Sequence, residues 1–89
     1  MRVTWKVKRY HEGWTDEGWI ERCAEAHGCE LAVDLWEADT VRREPTATVH
    51  VRHVASNREV AESGLPPDVP AAKRRALAIA RRLEREAAR

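Results

Sequence analysis

Hydrophobic and polar residues alternate from Val3 to Tyr10, where Val3, Trp5 and Val7 take turns with Thr4, Lys6 and Lys8. A period of two is what a strand with one buried face requires, so the spacing predicts a first strand here. His11, Glu12, Gly13 and Trp14 read as a turn. Thr15 then precedes Asp16 and Glu17, an N-cap followed by acids suited to the positive end of a helix dipole. Trp19, Ile20, Cys23, Ala24 and His27 recur at helical spacing, and Gly28 stands where a left-handed residue would stop a helix. Together these signals predict a short helix over 16–27. A strand over 18–25, with Ala26, His27 and Gly28 as a hairpin turn, is the competing reading. The helix is preferred because Trp19, Glu21 and Cys23 do not alternate cleanly with Ile20, Arg22 and Ala24.

The second strand is clearer. Over 29–37, Cys29, Leu31, Val33 and Leu35 fall on one face and Glu30, Ala32, Asp34 and Trp36 on the other. Ala38 to Pro45 reads as a charged connection. Thr46 to Val54 follows with Ala47, Val49 and Val51 inward and Thr48, His50 and Arg52 outward, so these two strands should pair as an antiparallel hairpin. Ser56 and Asn57 suggest another turn, after which Arg58 to Ala61 can extend the sheet before Gly64, Leu65, Pro66 and Pro67 break the chain. Asp68 caps a last helix that holds Pro70 in its first turn. Ala72, Ala76, Ile79, Ala80, Leu83 and Ala87 form its apolar stripe. The expected fold is therefore α+β, in the order β-α-β-β-α. A three-stranded antiparallel sheet carries the amphipathic C-terminal helix on one face, with a short helix between strands one and two.

The length of 89 residues allows one domain, residues 1–89, with a thin core and no deep enclosed cavity, which weighs against most multi-step enzymes. Four Trp, one Tyr and no Phe suggest that Trp5, Trp14, Trp19 and Trp36 supply much of that core. No apolar run approaches the roughly 20 residues of a membrane helix, and the N-terminus alternates where a signal peptide would be uniformly apolar. With only Cys23 and Cys29 present, the expectation is a soluble cytoplasmic protein with reduced thiols and no membrane partner.

Net charge is +1, so no partner is announced by the sum, but the distribution is uneven. Residues 11–40 carry nine acids against Arg22 alone, whereas residues 61–89 carry seven basic groups and four acidic ones. Opposite the apolar stripe of the last helix, Arg74, Arg81, Arg82, Arg85 and Arg89 fall on one arc at 100° per residue. Arginine makes planar bidentate contacts to phosphate, so this arc is a candidate nucleic-acid surface. A second candidate is the sheet face turned away from that helix, where Lys6, Lys8, Tyr10, Trp36, His50 and Arg52 mix cations with aromatic rings as single-strand binders do. Glu30 and Asp34 share that face and would repel phosphate.

Cys23, His27 and Cys29, with His50 and His53 elsewhere, do not match a zinc spacing, and no metal or cofactor is expected. Pairings such as Cys23 or Cys29 with His27, or Ser63 with His50 or His53, sit in no catalytic motif. The leading expectation is a non-catalytic protein that binds nucleic acid through Arg74, Arg81, Arg82 and Arg85, with Lys6, Lys8, Trp36 and Arg52 as a platform. The alternative is a protein-binding module or inhibitor, of the compact kind that phages and mobile elements encode against host defences. It would use the acidic segment 12–39 with Glu12, Asp16, Glu17, Glu21 and Glu25. A homodimer in which that acidic region meets a partner's Arg helix is a third possibility.

Two partial family likenesses exist. Pro45, Thr46, Ala47, Thr48, Val49, His50 and Val51, followed by a basic Ala-rich helix from Ala71, resemble the last strand and helix of double-stranded RNA-binding domains. That likeness covers under half of the chain and lacks the lysine cluster that opens the helix in the family. Asp16, Glu17, Gly18, Trp19 and Ile20, through Gly28 and Cys29, resemble the second strand of HicB-type antitoxins, with strand sequence where that family has its next helix. No residue roles carry over from either.

Overall fold

A computed structural model describes residues 3–11, 18–36 and 45–88, without the side chains of Arg9, Tyr10, His11, Trp19, Ile20 and Trp36. Five strands run as an antiparallel meander: β1 (Lys6–His11), β2 (Gly18–Ala26), β3 (Cys29–Trp36), β4 (Thr46–His53) and β5 (Arg58–Leu65). One helix, α1 (Val69–Ala87), follows and lies over β3 and β4, reaching β5 at its margin.

The expected helix over 16–27 is not formed; residues 18–26 are strand β2, and the sheet has five strands rather than three. The turn explains why. His27 and Gly28 have φ of 53° and 70°, so both residues of this two-residue loop are left-handed. Such a loop matches the twist of a tight hairpin and locks β2 onto β3 from Ala26↔Cys29 to Trp19↔Trp36. Gly28 is thus a hairpin residue and not a helix stop. Pairing on both sides, with β1 and β3, outweighs the helical propensity of Glu21, Arg22, Glu25 and the alanines. The second correction is β5, which extends to Leu65 and pairs with β4 through a register shift between Ala47 and Val49. That irregularity falls on an edge strand, where it discourages pairing with another chain. Of the turn expected over 11–14, His11 belongs to β1; residues 12–14, the Thr15 cap and residues 38–44 of the charged connection lie outside the described residues.

The β3–β4 hairpin forms as expected, with Leu31↔Val51 and Val33↔Val49 in register. Asp68 caps α1, its Oδ1 accepting from the Ala71 backbone N–H at 3.1 Å. Ala72, Ala76, Ile79, Ala80 and Leu83 are buried against Cys29, Leu31, Val33, Ala47, Val49 and Val51. Ala87, assigned to the same stripe, is exposed at the helix end. Three alanines on the contact face let the helix approach closely, so that Cys29 Sγ lies 3.8 Å from the Ala80 carbonyl oxygen. Ile79 and Leu83 fill the space between, each worth about 2 kcal/mol of burial. The described core is therefore aliphatic. Of the four Trp, Trp5 packs at its edge with Lys73 Nζ 5.2 Å from the ring centroid, and the side chains of Trp14, Trp19 and Trp36 lie outside the described part.

Candidate functional site

The buried stripe of α1 fixes what the helix turns outward. At 100° per residue, Arg74, Arg81 and Arg85 fall within about 40° of one another, directly opposite the buried residues. All three are exposed, Ala78 lies between Arg74 and Arg81 along the helix and Ala88 follows Arg85, so no acid interrupts the arc. Among the described residues no carboxylate lies within 4.0 Å of any of the three. The arc rises about 10 Å from Arg74 to Arg81 and about 6 Å more to Arg85. Near its C-terminal end, Arg81 and Arg85 line a shallow hollow with His27, Ala78 and Glu84.

Three other arginines of this side are paired with acids. Arg75 donates to both carboxylate oxygens of Glu62 at 2.7 and 2.8 Å, which holds Glu62 below the usual carboxylate range. Arg58 donates to Glu86 at 2.6 Å, and Arg82 approaches the same carboxylate at 4.0 Å. These exposed pairs add little stability, but they neutralise one flank of the helix. Arg82, placed on the cationic arc by sequence, belongs to that flank, and Arg89 lies outside the described residues.

Among the described residues nothing covers the opposite face of the sheet, which forms a shallow trough of about 880 Å³ running from β1 to β5. Register places Lys6, Cys23, Ala32, His50 and Ala61 in one row across it, with Glu25, Glu30, Arg52 and Glu59 in the next. Sequence correctly places Lys6, Lys8, His50 and Arg52 on one face, but β2 adds Glu21 and Glu25 and β5 adds Glu59 among them. Arg52 is also tied, donating to Glu30 at 2.9 and 3.3 Å and to Asn57 at 3.2 Å. Trp36 ends β3 opposite Trp19 and Thr46, and its side chain is outside the described part. Of the acidic candidates, Glu21 and Glu25 stand on this face; Glu12, Asp16 and Glu17 are outside the described residues.

An acid pair at this face escaped the sequence reading. Asp34 is buried, with its side chain 9% exposed, and its Oδ1 has no hydrogen-bond partner. Its register partner on β2 is Glu21, and His50 Nε2 lies 3.8 Å from Oδ2. Burial first, then the hydrogen bond and charge of Glu21, push the Asp34 carboxyl up to about 7. Glu21 is held low, chiefly because the Cys23 thiol donates to its Oε1 at 2.9 Å. A proton kept on Asp34 and shared with Glu21 satisfies the otherwise orphaned oxygen.

Burial and the same Glu21 bond push the Cys23 thiol up to about 11, and burial followed by the charge of Glu84 raises Cys29. Both thiols stay protonated at neutral pH, the unreactive form. Cys23 is on the open face and Cys29 faces α1, so the two do not bridge. His53 Nδ1 accepts from the Ser56 backbone N–H at 3.2 Å and lies 2.8 Å from its hydroxyl, closing the β4–β5 turn. Among the described residues no group of three metal-ligating side chains assembles, and no helix is long and apolar enough to cross a membrane. No family model, curated protein or solved structure matches the chain.

Proposed function

We propose that the protein binds nucleic acid through the outer face of α1, with Arg74, Arg81 and Arg85 contacting phosphates. The observation that supports this reading is the cluster of exposed arginines on one helix arc with no described acid within it. Arg52, Arg58, Arg75 and Arg82 are near acids of the fold, whereas these three arginines point outward from the packed stripe with no described carboxylate in reach. Ala78 and Ala88 beside them leave room for a backbone to approach. An α-helix about 10–12 Å across fits the major groove of a duplex, about 12 Å wide. Contacts of this kind position the protein on the backbone and read little sequence. The sheet face is the weaker candidate, since Lys6 and Lys8 stand among carboxylates that repel phosphate. Two protonated thiols on opposite faces suit a reducing cytoplasm, where such a protein would act.

Titrating a labelled DNA duplex at several salt concentrations tests the stoichiometry of contacts. Three phosphates give a slope of about −2.7 in log K against log salt, or about 40-fold weaker binding between about 50 and 200 mM. A slope near zero, or one steeper than about −6, would not come from this arc.

A further inference from the structure

The two flanks of α1 differ. Toward β5, Arg75 is bound to Glu62, and Arg58 and Arg82 meet at Glu86, so the charges of that side are matched. Toward β2, the helix meets the β2–β3 turn, where His27, Ala78, Arg81, Glu84 and Arg85 enclose a shallow hollow of about 450 Å³. Arg81 and Arg85 stand one helical turn apart on its rim, and Ala78 adds only a methyl group, which leaves the space between them and His27 open.

The turn itself does not call for His27. Its two residues, His27 and Gly28, have φ of 53° and 70°, and although histidine tolerates that conformation, a two-residue loop of this kind favours Asn before Gly. His27 is half-buried, and among the described residues its side chain has no hydrogen-bond partner, whereas its carbonyl accepts from the Cys29 thiol at 3.5 Å. His53, by contrast, uses its ring to close the β4–β5 turn. An imidazole with hydrogen bonds to give thus sits beside two arginines that no described carboxylate reaches within 4.0 Å.

Glu84 is the one acid of the hollow. Its Oε2 and His53 Nε2 lie 3.7 and 3.5 Å from where a Cβ on Gly28 would stand, so the carboxylate rests against the turn. At 100° per residue Glu84 also falls about 60° nearer the buried stripe than Arg81, which makes it the inner wall and the arginines the outer rim.

We propose that this hollow is a phosphate clamp in which His27 acts with Arg81 and Arg85, so that the binding surface continues from α1 onto the β2–β3 turn. The ligand is a phosphate of the nucleic-acid backbone, an assignment that rests on α1 being the nucleic-acid surface. Donors from two elements hold a phosphate from more than one side, which the helix arc alone does not do. The nucleic acid then leans toward β2, away from Glu62 and Glu86.

Titrating inorganic phosphate into isotope-labelled protein, in exchange for chloride at constant ionic strength, tests the clamp without nucleic acid. The side-chain signals of His27, Arg81 and Arg85 should move together and reach half-saturation at roughly 10 mM, with those of Arg58 and Arg75 still. His27→Asn supplies the residue the turn prefers, so the fold is kept, and it should weaken binding of phosphate and of a DNA duplex alike by about threefold, the size of one lost hydrogen bond. Glu84→Gln, which removes the charge of the inner wall, should tighten both about twofold. A His27→Asn variant that binds duplex as the wild type does, with His27 unmoved by phosphate, overturns the clamp while leaving α1 the binding surface. Phosphate shifts at all three residues without any binding of duplex would instead overturn the choice of ligand, leave the hollow a site for free phosphate and remove nucleic acid from α1.

Discussion

Reversing Arg74, Arg81 and Arg85 to Glu together is expected to weaken binding to a DNA duplex about 100-fold or more. Each arginine stands free of described acids, so each charge is available to a phosphate, and removing one such charge-assisted bond costs at least about 1 kcal/mol of binding. The new carboxylates add repulsion. The fold should survive, because all three side chains are exposed and surface substitutions change stability by roughly 0.5 kcal/mol each. Arg85 lies in the last turn, where a cation offsets the helix dipole, so its reversal adds a small further loss. Fluorescence anisotropy gives the affinity, and circular dichroism melting separates binding from folding. The companion variant Lys6→Glu with Lys8→Glu should change affinity less than about threefold. The opposite ranking of the two variants would move the binding surface to the sheet.

A second large effect belongs to the acid pair. Asp34 keeps its proton up to about pH 7 in the folded chain, whereas the unfolded chain releases it near its ordinary value of 3.8. Between those limits the native state holds the extra proton, so stability falls as pH rises from about 4 to about 7 and levels off above. Glu21 works in the opposite sense at lower pH. Its carboxyl is held down, so its share of stability is lost as pH falls below about 4.5. Asp34→Asn replaces a buried carboxyl with a neutral amide that can donate to Glu21 without titrating. Its melting temperature should vary little between pH 5 and 8, and at pH 8 it should exceed that of the wild type by roughly 5–10 °C. A wild type whose stability rises across the same interval would show that Asp34 is ionised, and that its oxygen is satisfied in another way.

How much of this is legible without a structure follows from which positions carry unambiguous pattern. Leu31, Val33, Val49 and Val51 alternate cleanly, and the β3–β4 hairpin could be read from them. So could α1, whose cap, proline and stripe agree. Strand β2 could not, because the residues it buries against the core are Ala24 and Ala26, with Arg22 on the same face, and small or charged inward positions leave no alternating signal. Gly28 misled for a physical reason: helix stops and tight hairpins both need a left-handed residue. Strand β5 is an edge with only Val60, Glu62 and Leu65 half-buried, so its sequence stays polar.

The candidate site divides in the same way. Arg74, Arg81 and Arg85 could be placed from the helical period alone, as could the i,i+4 approach of Arg82 to Glu86, whereas the bond from Arg58 to Glu86 depends on how β5 lies beside α1. The bond between Arg52 and Glu30 needs the β3–β4 register. The Glu21–Asp34 pair was hidden entirely once β2 was read as a helix, since only the sheet makes those two residues neighbours.

The claim that α1 carries the binding surface is tested most directly by amide chemical shifts of isotope-labelled protein titrated with a short DNA duplex. The account predicts that the largest changes fall on Arg74, Ala78, Arg81, Arg85 and Ala88, with Lys6, Lys8, His50 and Arg52 nearly still. Changes concentrated on those four sheet residues, with the outer face of α1 unmoved, would contradict it.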